Sequence, residues 1–117
     1  MVIVEQNRLF MFEQGPRYGV RILTYKSGNV YNALSDTRAL SCIYYKRSVK
    51  KIAISFSSGA SHNSLVVYKL KGKKLKKIVE YKEEGDYYTQ RYYKNNTRVT
   101  KQVYENAIKP YLYWNRL

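Results

Sequence analysis

The chain holds a single cysteine, Cys42, so no disulfide can form within it. A disulfide framework is excluded, and the 117 residues must fold around a buried core. One cysteine and one histidine, His62, fall short of the four ligands of a structural zinc site. Only two prolines, Pro16 and Pro110, and six glycines are present. No stretch therefore reads as a Pro/Gly linker, and residues 1–117 read as one domain. No segment approaches the roughly 18 apolar residues of a membrane helix, so no membrane partner is expected. The opening residues MVIVE lack the basic stretch and apolar length of a signal peptide. Together with the lone cysteine, this gives an intracellular expectation, cytoplasmic or nucleoid-associated.

Acids are scarce as well: eight Asp and Glu stand against 22 Lys and Arg, a net charge of +14. A hydrophobic fraction of 44% rules out a disordered basic tail. A folded domain this far from neutrality repels itself, and an anionic partner is the usual reason such a surface is kept. Phenylalanine and tryptophan are few, three and one, while tyrosine numbers 14. The lysine and tyrosine bias resembles that of small proteins encoded by viruses and plasmids of hyperthermophilic archaea. That resemblance is one of composition alone and implies no role for any residue.

The pattern predicts an α+β fold: a mostly antiparallel sheet of seven or eight short strands with two helices, at about 37–47 and 98–109. Residues 2–5, 8–13, 18–25 and 30–34 read as strands, with Lys26-Ser27-Gly28-Asn29 as a hairpin loop. Ser35-Asp36-Thr37 offers N-cap side chains to a helix carrying Ala39, Leu40, Ile43 and Tyr44 at helical spacing. Residues 51–57 alternate, with Ile52, Ile54 and Phe56 on one face. Residues 64–70 and 74–82 form a hairpin around Lys71-Gly72-Lys73, and 87–93 add a strand. Lys94-Asn95-Asn96-Thr97 reads as the cap of the last helix, with Val99, Val103 and Ala107 on one side. The tail Tyr111-Leu112-Tyr113-Trp114 is too aromatic for solvent. It is expected to dock on the body or on a second copy of the chain, as a homodimer contact.

Two features carry function. Six lysines, Lys69, Lys71, Lys73, Lys74, Lys76 and Lys77, fall within nine residues with no intervening acid. On a hairpin much of this charge projects from one side, with apolar residues behind it. Such a ribbon can enter a major groove or ride a phosphate backbone. Lysine also blunts exposed sheet edges, so the run alone would suit a solvated hairpin. The second feature is Tyr87-Tyr88-Thr89-Gln90-Arg91-Tyr92-Tyr93. On a strand Tyr87, Arg91 and Tyr93 share a face, and rings beside a cation suit unstacked bases. Tyrosine is equally a common strand residue with a packing role.

Catalytic patterns are weaker. Ser61-His62 lies in a loop with neither a nucleophile elbow nor a phosphate-binding glycine motif, and on an extended loop the two side chains would point apart. Glu80-Tyr81-Lys82 matches half of a metal-dependent nuclease site, but Asp36 is the only aspartate upstream. A recognition helix carrying Arg98, Lys101, Gln102 and Asn106 would need a partner helix that the sequence does not offer. The expectation is therefore a non-enzymatic nucleic-acid-binding protein, with DNA ahead of RNA. No catalytic residue, metal or cofactor is assigned. The alternatives are a protein-interaction or structural module with an aromatic assembly contact and, behind it, a nuclease.

Overall fold

The computed structural model describes residues 9–14, 20–59, 61–86 and 88–116. The expected strand at 2–5 lies outside them. Ten strands are present among the described residues: β1 (Leu9–Gln14), β2 (Val20–Lys26), β3 (Asn29–Asp36), β4 (Leu40–Lys46), β5 (Lys51–Ser57), β6 (Asn63–Lys71), β7 (Lys74–Gly85), β8 (Gln90–Lys94), β9 (Thr97–Val99) and β10 (Asn115–Arg116). One α-helix, α1 (Lys101–Ile108), runs into a 3-10 turn at Lys109–Tyr113. The sheet-rich antiparallel class is as the sequence suggests, with one helix instead of two.

Strands β1–β3 form a small sheet in sequence order, and the large sheet runs β10-β4-β5-β6-β7-β8-β9. All pairings are antiparallel. The large sheet is the middle of three layers. On one face Val20, Ile22 and Ala33 of the small sheet join Ile43, Ile52, Ile54, Phe56, Val66, Tyr68, Leu70 and Leu75. On the other face Ala53, Leu65, Val67, Val79 and Tyr81 pack under Tyr104 of α1, with Tyr111 and Trp114. Strands β5 and β6 are thus covered on both sides, which accounts for the near-continuous apolar runs Ile52-Ala53-Ile54 and Leu65-Val66-Val67.

The helix expected at 37–47 is strand β4. Its Ile43 enters the first core while Tyr44 packs on the second. A strand buried on both faces loses its period-2 signal, and the leftover spacing imitates a helix. The supposed cap residue Asp36 ends β3 instead, where its Oδ1 accepts from Arg38 N at 2.9 Å and its Oδ2 from Arg38 Nη2 at 2.8 Å. The second helix begins later than 98. Asn95 and Asn96 both take positive φ, 49° and 67°, the signature of a type I′ hairpin turn joining β8 to β9. Thr100 is the true N-cap, its Oγ1 accepting from Val103 N at 3.2 Å. Tyr104, Ala107 and Ile108 form the packed side of α1, while Val103 is exposed.

The aromatic tail docks on the body through two of its four residues. Tyr111 meets Tyr81 at 6.4 Å between ring centroids and Trp114 edge-on at 5.0 Å. Asn115 and Arg116 then pair with Tyr45 and Tyr44, covering that part of the β4 edge of the sheet. Arg116 Nε donates to Sγ of the buried Cys42 at 3.1 Å. Leu112 and Tyr113 remain exposed.

Candidate nucleic-acid interface

The β6–β7 hairpin turns at Lys71-Gly72-Lys73-Lys74, with Gly72 at φ 65°. A β-branched or bulky residue would be strained at this φ, and glycine is not. Leu70 faces Leu75 inside the first core, while Lys69 faces Lys76 and Lys71 faces Lys74 on the opposite, exposed side. The alignment depends on a bulge. The register jumps from Val67↔Val79 to Tyr68↔Lys77, which leaves Ile78 unpaired. Were Ile78 paired in the ladder with Tyr68, Lys69 would meet Lys77, and Lys76 would fall opposite Leu70. Bulges of this kind re-aim side chains. Here the bulge sets Leu75 against Leu70 in the core and Lys74 against Lys71 outside it, with Lys76 taking the place opposite Lys69.

The same register continues beyond the hairpin. Lys69 stands opposite Lys51 of β5, and Lys51 stands opposite Lys46 of β4. Lys46, Lys51, Lys69 and Lys76 therefore form one row across four adjacent strands. At the usual strand spacing the row spans about 14 Å. It lies on the same side of the large sheet as Ala53 and Val67, beyond the part covered by α1 and Trp114. Among the described residues no carboxylate comes within ion-pair distance of these four lysines or of Lys71.

Sequence reading reached only half of this row. Lys46 and Lys51 are five residues apart and far from Lys69, and only the strand assignment of β4 brings them into line. The remaining hairpin lysines are committed elsewhere. Lys73 Nζ lies 4.4 Å from the centre of the Tyr31 ring. Lys74 Nζ donates to the Asn32 carbonyl at 3.1 Å, tying the hairpin to β3. Lys77 is on the opposite face and pairs with Glu80 at 3.3 Å.

Arg91 and Tyr93 are not part of the row. On β8 they face Glu84 and Lys82 across the β7 ladder, on the side of the sheet opposite the lysines. Tyr92 takes the lysine side, where its ring packs on Tyr104 at 5.0 Å. Tyr87 lies outside the described residues. Tyr93 is also opposite Arg98 of β9, which is therefore on a strand and not at the start of the expected helix 98–109. Lys82, Tyr93 and Arg98 thus form a second, shorter cross-strand row.

An ion network joins the two sheets. Arg38 pairs with Asp36 at 2.8 Å and Glu80 at 3.2 Å, with its guanidinium 4.2 Å over the Phe56 ring. Burial pulls the Asp36 carboxyl up, but the side-chain and backbone hydrogen bonds from Arg38 outweigh it and hold the group below its ordinary 3.8. Tyr68, buried beside these acids, is pushed up to about 12, by burial first and then by the charge of Asp36. Glu80, the acid of the nuclease half-motif, is thereby engaged with Arg38 and Lys77. Among the described residues no three His, Cys, Asp or Glu side chains gather as a metal site.

The Ser61-His62 loop is turned, not extended: Ser58 N donates to the His62 carbonyl at 3.0 Å and His62 N to that of Gly59 at 3.3 Å. This brings Ser61 Oγ to 3.5 Å from His62 Nδ1, closer than an extended loop would allow. A groove of about 240 Å³ opens beside this loop, lined by Arg38, Phe56, His62, Ser64, Lys82 and Glu84 among others. No helix among the described residues is long and apolar enough to cross a membrane. No protein-family model, no curated protein and no solved structure matches this chain.

Proposed function

We propose that this protein is a non-enzymatic nucleic-acid-binding protein that grips the phosphate backbone through the row Lys46, Lys51, Lys69 and Lys76, with Lys71 beside it. The observation that carries the reading is the register itself: like charges stand directly opposite one another on adjacent strands, and among the described residues no carboxylate forms an ion pair with them. Like-charge pairs destabilise a sheet. A polyanion lying across the strands relieves that repulsion and gains counterion release. Lysine contacts are point-charge contacts, so affinity comes with little sequence preference. Duplex DNA is the polymer we propose, because its dense, regular line of phosphates matches a row of cations spaced across adjacent strands.

The test is a titration of the protein against labelled duplex DNA at two salt concentrations, alongside a variant with Lys46, Lys51, Lys69 and Lys76 changed to Ala. Wild type is expected to bind with steep salt dependence, and the variant weakly to every sequence. Equal binding by the two proteins sinks the reading.

One observation favours a second reading. Leu112 and Tyr113 are 47% and 79% exposed although their neighbours Tyr111 and Trp114 are packed. This suits a contact with a second copy of the chain or another protein. Size-exclusion chromatography of a Tyr113→Ser variant against wild type tests it.

A further inference from the structure

The large sheet carries basic side chains on both faces, and the two sets differ in chemistry. The lysine row has no exposed aromatic among its members. The second row, Lys82–Tyr93–Arg98, holds a half-buried tyrosine ring with a cation as its direct cross-strand neighbour on each side. At strand spacing each cation-bearing residue stands about 4.8 Å from the tyrosine's strand. Arg91 lies two residues along on the same face, opposite Glu84. The groove of about 240 Å³ adjoins this row, and Lys82 and Glu84 are part of its wall. That volume is below the usual range for a drug-sized ligand, and it suits a group of one or two rings.

We infer that Lys82, Tyr93 and Arg98 form a second nucleic-acid site, one that takes an unpaired nucleotide. The base stacks on the Tyr93 ring, and Lys82 and Arg98 hold the phosphates on either side of it. A ring provides a face for any base, and flanking cations follow the backbone, which is the recurring chemistry of single-strand recognition. The lysine row supplies only the second half of that chemistry and is left to backbone contacts. Along β7 the sites are separated as well as being on opposite faces: Lys76 and Lys82 are six residues apart, roughly 20 Å of strand. One chain can therefore hold a duplex on one face and an unpaired strand on the other. The inference rests on the proposed function, but its residues are different ones.

The experiment uses the full chain with labelled oligothymidylate and a labelled duplex of equal length, read by fluorescence anisotropy. Tyr93→Ala is expected to lower single-strand affinity by about 5- to 150-fold, the range for loss of one stacked base. Duplex affinity is expected to stay within about twofold, because backbone contacts on the other face remain. Tyr93→Phe keeps the ring and should bind like wild type. Arg98→Glu, at an exposed position, carries the same test should the alanine variant fold poorly. In a capture assay, immobilised duplex should retain labelled single strand through wild-type protein, and neither Tyr93→Ala nor the four-lysine variant should support retention. Unchanged single-strand binding by both Tyr93→Ala and Arg98→Glu overturns the second site and leaves the lysine row standing. Unchanged duplex binding by the four-lysine variant overturns the proposed function instead.

Discussion

Lys51 stands directly opposite Lys69 across the β5–β6 ladder, in the middle of the large sheet, with Lys46 and Lys76 as the next partners on either side. Four ammonium groups in line raise the energy of the folded state when nothing anionic lies over them. Lys51→Glu replaces two like-charge pairs with two opposite-charge pairs. At about 0.2–1 kcal/mol for each cross-strand pair, the variant should be more stable than wild type. The melting temperature should rise by roughly 1–8 °C at low ionic strength. Added salt should shrink the difference, since screening weakens the repulsion in wild type. Nucleic-acid affinity should fall in the same variant. Opposite signs for stability and binding are the expected mark of a row held for a ligand, and thermal melts with anisotropy on one preparation would show them.

The salt dependence of duplex binding measures how many of these lysines meet phosphate. Each neutralised phosphate on B-form DNA contributes roughly −0.9 to the log–log slope. Changing Lys46, Lys51, Lys69 and Lys76 together to Ala should make the slope shallower by about 3 to 4 on that figure. Lys77→Ala should leave it unchanged, because Lys77 is on the other face and pairs with Glu80. A titration series across salt concentrations for the three proteins separates these outcomes. Were Lys77→Ala to flatten the slope as much as the row variant, the charge would be acting as a whole-protein property and not as a site.

The hairpins were legible in the sequence and the row was not, for a physical reason. Ser27-Gly28 and Gly72 announce turns through local backbone chemistry, so the β2–β3 and β6–β7 hairpins can be read from neighbouring residues. The alternation of Ile52, Ile54 and Phe56 announces a face. Strand β4 announces neither, because Ile43 and Tyr44 are buried in different cores. Reading it as a helix concealed Lys46 and left Lys51 without a partner. Asn95-Asn96 could have been read as a type I′ turn, and this would have moved Arg98 onto a strand beside Tyr93. The bulge at Ile78 has no sequence signal. Alternation alone would put Leu75, Val79 and Tyr81 on one face, yet Leu75 belongs to one core and the other two to the second. Local chemistry fixes turns; registers are set by which faces the whole sheet must bury.

Arg38 ties the end of β3 to β7 through Asp36 and Glu80, and that link should weaken in acid. The folded Asp36 carboxyl titrates below its ordinary 3.8 because Arg38 favours its charged form. A group depressed on folding contributes stability above its unfolded value, and the contribution is lost as pH falls through the folded one. The pair is partly exposed, so the contribution should be no more than about 1 kcal/mol. Stability measured by urea denaturation should therefore be flat near neutrality and decline below about pH 4. Asp36→Asn should lower stability at pH 7 and flatten the decline, so that the two proteins converge in acid. Parallel curves over that range would mean that Asp36 contributes nothing through its charge.

Trp114 and Tyr113 are adjacent in sequence, yet a substitution at the first should cost stability and one at the second should not. Trp114 is half-buried, packs edge-on against Tyr111, and leads into β10, which covers part of the edge of β4. Trp114→Ala removes apolar area from the second core and loosens that cover. A full Trp→Ala truncation in a core costs about 3–5 kcal/mol, and half-burial should bring this to roughly 2–3 kcal/mol. An uncovered β4 edge invites pairing with other chains, so the variant should also aggregate on heating. Tyr113, at 79% exposure, has no such role within the chain. Tyr113→Ser should change stability by less than about 0.5 kcal/mol. Its effect on mass in solution is then the informative quantity. If full-length protein runs as a dimer and Tyr113→Ser as a monomer of equal stability, the exposed end of the tail is an assembly contact. If both run alike, the tail serves only to cover that part of the sheet edge, and the second reading of this protein fails while the lysine row is untouched.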